Sequence, residues 1–291
     1  MEKYARTSKC NLFSAALLAL TLGMASCNLN DGKGQAAKES QEMKVESVTW
    51  EEKPSAEGCK ISATFPADTT MAVSRNVWEW INEELGGSYN GYLFDGEKLA
   101  EHYGTLHAEQ FKRAIEELGP NTAMDQCAYY AQLKKVFETC KLVTFTAETY
   151  EYAGGAHGGE SLEGCVFRKS DGRRFGWEMF TAEGKEKLRD IIKERLKKFY
   201  FKTGSDEEFY AMLLDENASY SFPLPETAPI CRANGMQFIY QQYEIAPYAA
   251  GIPTCTVPYT ELKGLFTTTV EPLIESTTDS LAMKYNPTVV Q

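Results

Sequence analysis

Apolar residues first settle into a helical period between positions 73 and 85. Val73, Val77, Ile81 and Leu85 recur every fourth residue with Trp80 beside them, and Gly86-Gly87 follows. That spacing keeps one face of a helix apolar, and paired glycines end helices, so a helix is expected to stop there. A second, less regular helical stretch covers 97–118 and stops at Gly119-Pro120. Before these helices, 47–50 and 59–65 are short β-prone runs separated by Pro54 and Gly58, the pattern of two strands and a turn. Between 127 and 152, β-branched and aromatic residues dominate, predicting two long strands with a turn near 138–141. A strand over 164–169, a tight Ser170-Asp171-Gly172 turn and a brief return at 175–177 follow.

In the third predicted helix, Leu188, Ile191, Ile192, Leu196 and Phe199 face one way. Lys185, Lys187, Lys193, Arg195, Lys197 and Lys198 take the other faces, which reads as a solvated basic surface. Ala233-Asn234-Gly235 is a hairpin signal, with its partner strand expected over 236–245. A shaped loop at 247–253, a strand at 254–259 and a short helix at 261–266 complete the pattern. The threonine-rich residues 267–291 show no period and read as a loosely ordered tail. Mixed elements in this order predict an α+β fold: two closely joined subdomains, 47–141 and 142–266, with antiparallel sheets and packed helices.

The first residues change the compartment. Lys3, Arg6 and Lys9 precede an apolar run from Leu12 to Leu22, and Met24-Ala25-Ser26-Cys27 follows at once. This is the pattern of a signal peptide, residues 1–26, and it resembles the lipobox of bacterial lipoproteins. Cleavage before Cys27 leaves a lipid-bearing cysteine and a polar tether, 27–46. The body is therefore expected at the cell envelope, anchored to membrane through Cys27, on the outer membrane or cell surface in a Gram-negative cell. In that oxidising space the even set Cys59, Cys127, Cys140, Cys165, Cys231 and Cys255 suggests disulfides, although spacing does not choose the pairs. A formal charge of −11 argues against nucleic acid as a partner and is compatible with a basic one.

The stretch with most chemical promise is Tyr150 to Glu160, YEYAGGAHGGE. A phosphate loop would place Lys after its glycines at a helix start; here neither Gly158 nor Gly159 precedes Lys and a strand follows. His102 and His107 are five apart and do not share a helix face, and His157 has no partners in a metal motif, so no metal or cofactor is implied. No G-x-S-x-G or cysteine active-site signature occurs. The glycines instead suit left-handed or crowded backbone, with His157 expected as a partly buried residue bonded to nearby backbone. The enzymatic alternative is a cell-wall hydrolase or transferase in which His157 works with Glu151 or Glu244.

These residues also carry a resemblance. Thr149 to Gly158, TYEYAGGAHG, resembles the Y-x-Y-x-G-G-A-H-G signature of the extracellular domain shared by RsiV-type anti-sigma factors and PdaC-type peptidoglycan deacetylases. Tyr243 to Gly251, YEIAPYAAG, with Val257-Pro258-Tyr259 and Glu261-Leu262, resembles the same family's second segment. The resemblance covers roughly 47–266 and implies an α+β domain with a sensing or binding role, lysozyme being the ligand known for the anti-sigma factor. The sequence carries neither a sigma-binding segment with a transmembrane helix nor a deacetylase domain, so neither activity is carried over. The expectation is a non-enzymatic lipoprotein domain binding a protein, lysozyme among the candidates, or a cell-wall glycan. Its expected contact residues are Tyr152, Gly154, Gly155, His157, Tyr243, Pro247 and Tyr248.

Overall fold

A computed structural model describes residues 41–53, 55, 57–118, 126–215 and 219–285. The signal peptide, Cys27 and the tether as far as residue 40 lie outside the described residues, as does the expected helix stop at Gly119-Pro120. The α+β expectation holds. A six-stranded sheet runs in sequence order through β1 (Val45–Glu52), β2 (Gly58–Pro66), β3 (Ala128–Glu138), β4 (Leu142–Tyr152), β5 (Gly159–Arg168) and β6 (Arg174–Phe175). It is mixed rather than antiparallel throughout, because β2 and β3 pair in parallel. Between them the chain makes two helices, α1 (Ala72–Glu84) and α2 (Gly96–Leu118), and a helical crossover returns a chain to the end where it started. The boundary expected at Lys141 falls in the β3–β4 turn, between strands paired from Ala128↔Tyr152 to Glu138↔Val143.

The two sheet faces are covered differently. Alternation sends Cys59, Ile61, Ala63 and Phe65 of β2, Leu133 of β3 and Phe145 of β4 into one core with Val73, Val77, Trp80 and Ile81 of α1 and Leu99, Tyr103 and Phe111 of α2. On the opposite face, only the half nearest the β3–β4 turn is covered. There Phe137, Leu142, Val166 and Phe175 enter a second core with a three-stranded sheet, β7 (Ile230–Arg232), β8 (Gly235–Ile239) and β9 (Thr254–Val257), and with α3 (Ala182–Arg195). Thr181 caps α3, its hydroxyl accepting from the Gly184 N–H, and Leu188, Ile192 and Leu196 are its buried stripe. Phe199, expected on that stripe, is 58% exposed because the helix widens into a π turn over Leu196–Tyr200.

Several expected boundaries move. The strand after the glycine-histidine loop starts at Gly159 rather than Gly164. β8 ends at Ile239, and 261–266 is a run of turns rather than a helix. The segment from Thr267, expected to be loose, is packed as far as Tyr285. Val270, Ile274, Leu281 and Ala282 are buried, and the Asp279 carboxylate accepts from the Leu281, Ala282 and Cys140 N–H groups. The tether's last residues also belong to the domain, since Met43 is buried and β1 begins at Val45.

The expected disulfide bracing is not formed: Cys59, Cys140, Cys165, Cys231 and Cys255 stand as thiols. Cys165 sits in the first core, and Cys231 and Cys255 lie on β7 and β9 with β8 between them. Burial pushes the Cys59 thiol up to about 11 and those of Cys165, Cys231 and Cys255 to about 12, which makes them packing groups rather than nucleophiles.

Candidate functional site

β4 and β5 are joined by the glycine-histidine loop at the end of the sheet away from the β3–β4 turn. Gly154 and Gly155 have φ of 91° and 103°, left-handed values that side chains resist, so this part of the loop requires glycine. The Tyr152 hydroxyl donates to the Gly155 carbonyl at 3.0 Å and ties the turn to its own strand. A Cβ on Gly158 would lie 2.5 Å from the Tyr150 ring, so Gly158 is there for close approach. The loop is thus a shaped turn, and it delivers His157 to the surface.

His157 is exposed rather than partly buried, because the glycines carry it clear of the sheet. It is nevertheless held. Its Nδ1 donates to the Gly158 carbonyl at 3.0 Å, and since a carbonyl can only accept, the neutral ring leaves Nε2 to accept from the Tyr243 hydroxyl at 3.2 Å. The Tyr248 ring stacks on the imidazole at 3.7 Å and 20°. Tyr243 and Tyr248 are 5.9 Å apart, so three rings from two distant segments form one cluster. Gly154, Gly155, His157, Tyr243, Pro247 and Tyr248 are found on these two loops and Tyr152 at the end of β4, and the rings that touch are His157, Tyr243 and Tyr248.

The second loop is framed from both sides. The Tyr200 hydroxyl, presented by the π turn, donates to the Ala250 carbonyl at 2.5 Å, and the Leu214 N–H donates to the Ile245 carbonyl at 2.9 Å. Tyr243 itself has φ of +66°, a conformation costly for a bulky residue, yet its side chain is 53% exposed. A strained residue aimed at solvent is a stronger functional pointer than its place in a sequence motif.

Two residues that the sequence reading missed join the loops. The Gln242 side-chain oxygen accepts from the Glu160 N–H at 2.9 Å. Gln241 accepts from the Leu162 N–H at 3.2 Å, and its amide NH2 donates to the Leu162 carbonyl at 2.8 Å and to Thr227 Oγ1 at 2.9 Å. Together they pair with the free edge of β5 as a neighbouring strand would. The one sequence signal was a polar Gln-Gln pair immediately before the YEIAPYAAG segment.

Neither carboxylate of the enzymatic alternative reaches His157. Glu151 shares its register position with Tyr129, on the helix-covered face, while His157 lies beside Tyr130, Tyr150 and Tyr152 of the opposite face. Glu244 uses one oxygen to accept from the Gln241 N–H at 2.7 Å and the other from the Glu226 N–H at 2.8 Å. Burial raises the Glu244 carboxyl above its usual range, with those two N–H groups opposing the shift. Among the described residues no group of three His, Cys, Asp or Glu side chains is placed to hold a metal ion. His102 contacts Ser88, and His107 stacks on Tyr129 at 3.5 Å, so the two remaining histidines belong to the α2 packing.

Comparison with known proteins follows this division of the site. A family model described as "Protein of unknown function (DUF3298)" matches residues 178–260, which takes in the YEIAPYAAG loop and stops short of the glycine-histidine loop. A solved structure of a DUF3298 family member from Bacteroides fragilis is 19% identical with a TM-score of 0.62, covering 83% of this chain and 99% of that one. A DUF3298 family protein from Pseudomonas aeruginosa is 17% identical with a TM-score of 0.56, covering 79% of this chain and 96% of that one. At these identities the likeness is one of fold. No curated protein matches the chain.

Proposed function

We propose that the chain is a non-enzymatic binding domain of the cell envelope, attached through a lipid on Cys27, whose ligand face is the junction of the glycine-histidine and YEIAPYAAG loops. The ligand is a protein, lysozyme among the candidates, or a cell-wall glycan, as the RsiV/PdaC-type resemblance implies. The observation that carries the reading is the ring cluster of exposed His157 and Tyr243 with half-buried Tyr248 on a rigid frame. Aromatic residues with few rotatable bonds, already held in place, lose little entropy on binding and dominate contact energetics. His157 hydrogen-bonds to a carbonyl and a tyrosine rather than to a carboxylate, an arrangement suited to holding a ring and not to moving a proton.

The position of the face fits a tethered domain. Residues 41–43 are clamped at the β3–β4 turn, the opposite end of β4 from the loops. The described chain therefore enters the domain at the end of β4 away from the loops.

The full chain in mild detergent, immobilised and exposed to lysozyme and to solubilised cell-wall fragments, tests the proposal. Tyr248→Ala is expected to weaken capture at least about tenfold, the loss of one well-packed aromatic anchor, with the fold retained. His157→Gln keeps a neutral hydrogen-bonding group and is expected to retain most binding. Ligand turnover by the parent that disappears in an equally folded His157→Gln variant would make the loop catalytic and end the proposal. Cys27→Ser is expected to move the protein out of the membrane fraction, and unchanged fractionation and mass would remove the lipid anchor from it.

A further inference from the structure

The layer of β7–β9 covers only part of its sheet face, and where it ends the bare strands form a groove of about 580 Å³ beside the loops. Strand register determines what stands in it. One row across the sheet reads Lys60, Tyr130, Tyr150, Glu160, and the next reads Ser62, Gln132, Glu148, Leu162. Ile252, from the far side of the YEIAPYAAG loop, completes the lining. The volume lies in the range of sites that enclose small molecules or short polymer segments.

The lining has a definite chemistry. The Tyr130 and Tyr150 rings run side by side at 6.1 Å and 18°. Tyr130 is fixed by its hydroxyl, which donates to the Glu57 carbonyl at 3.0 Å, and Tyr150 by the close approach of Gly158. Around these rings stand donors and acceptors of both kinds. The Gln132 side-chain oxygen accepts from Lys134 at 2.6 Å, which leaves its amide NH2 to donate.

Charge separates the candidate occupants. Glu148 is matched by Lys134 at 2.9 Å, and Lys60 and Glu160 put one positive and one negative charge at the two ends of the row, so the groove is formally neutral in a chain of net charge −11. A site for a cationic protein segment on so acidic a molecule would gather unmatched carboxylates. Fixed aromatic faces with balanced hydrogen-bonding groups suit an uncharged ligand that has both apolar ring faces and many hydroxyls. Resting on the binding-domain reading, we propose that this groove takes a neutral saccharide chain, one sugar ring lying against Tyr130 and Tyr150 and its hydroxyls meeting Lys60, Gln132 and Glu148.

Titration calorimetry of the full chain in zwitterionic detergent, with a glucose trisaccharide, an N-acetylglucosamine trisaccharide and a trilysine peptide as probes, tests it. Saturable binding of at least one trisaccharide is expected, weakened tenfold or more by Tyr150→Ala and by Gln132→Ala and retained by Tyr150→Phe, which keeps the ring. Equal saccharide affinity in Tyr150→Ala and the parent overturns the proposal, as does the failure of both trisaccharides to bind. Binding of trilysine alone overturns the saccharide assignment and leaves the binding-domain reading standing. Cleavage of a bound trisaccharide over time supports the groove and removes the non-enzymatic reading.

Discussion

Tyr243 offers a direct test of whether the loop face is built for contact at the expense of backbone comfort. Its φ of +66° costs a residue with a Cβ about 1–2 kcal/mol. Tyr243→Gly removes that cost but adds about 0.5–1 kcal/mol of chain entropy lost on folding. It also removes the hydroxyl donated to His157 at 3.2 Å, an exposed hydrogen bond worth about 0.5–1 kcal/mol. These contributions nearly cancel, so the glycine variant is expected within about 1 kcal/mol of the parent. Tyr243→Ala loses the same contacts and keeps the strain, and should be less stable than the glycine variant by up to about 1 kcal/mol, or roughly 2–4 °C in Tm for a domain of this size. Paired urea and thermal unfolding curves measure the difference, and the lysozyme and cell-wall capture assay measures function, which both variants should lose. An alanine variant more stable than the glycine variant would show that the backbone there is unstrained. A glycine variant with full capture would show that the strain does not serve binding.

Gln241→Leu should cost about 2–3 kcal/mol, because it strips partners from the Leu162 N–H and carbonyl and from Thr227; hydrogen exchange at the Leu162 amide should accelerate, and unchanged exchange would deny Gln241 its role on the β5 edge. Glu138 is fully buried between Lys135 and Lys169, at 2.8 and 2.6 Å, so Glu138→Gln leaves two nearly buried cations facing a neutral amide and should cost about 3–5 kcal/mol in urea unfolding, with a loss below 1 kcal/mol contradicting this. The Glu84 carboxyl is raised from 4.5 to about 7 by burial first and by Glu163 and Glu83 next, so its stabilising contribution is complete below pH 4.5 and is lost as pH rises through 7. Glu84→Gln should therefore flatten the pH dependence and be the more stable protein at pH 8 by up to about 3 kcal/mol, and an unchanged slope between pH 5 and 8 would refute the assignment.

Features legible in the sequence were those with local causes. The period of Val73, Val77, Ile81 and Leu85 defines α1 because a helix face is determined within a few turns, and Gly86 and Gly87 end it with φ of 129° and 68°. The positive φ of Gly154 and Gly155 was legible for the same reason. Features fixed from a distance were not. Alternation in MQFIYQQYEI runs on past Ile239, yet β8 stops there as the Tyr240 N–H goes to the Pro253 carbonyl and Tyr243 turns left-handed. Threonines hid the anchoring of the last segment, where Ser276 and Thr277 are themselves buried and Ser276 donates to the Thr139 hydroxyl 137 positions away. The six cysteines were read through their expected compartment, whereas strand positions decide whether thiols can meet.

The same contrast explains why the two signature segments gain meaning only together. Alone, YEYAGGAHGGE makes a turn and leaves the start of β5 as an open edge, and an open edge invites unwanted pairing. YEIAPYAAG, alone, makes a strained loop after a strand. Gln241 and Gln242 close the edge with side chains instead of a further strand, and that choice leaves the loop's backbone free to turn outward at Tyr243 and to bring Tyr248 onto His157. A true neighbouring strand would have continued the sheet and flattened the junction. Edge capping by side chains ends the sheet and shapes a surface in one step, so the residues that stabilise β5 and the rings that face solvent are adjacent in sequence.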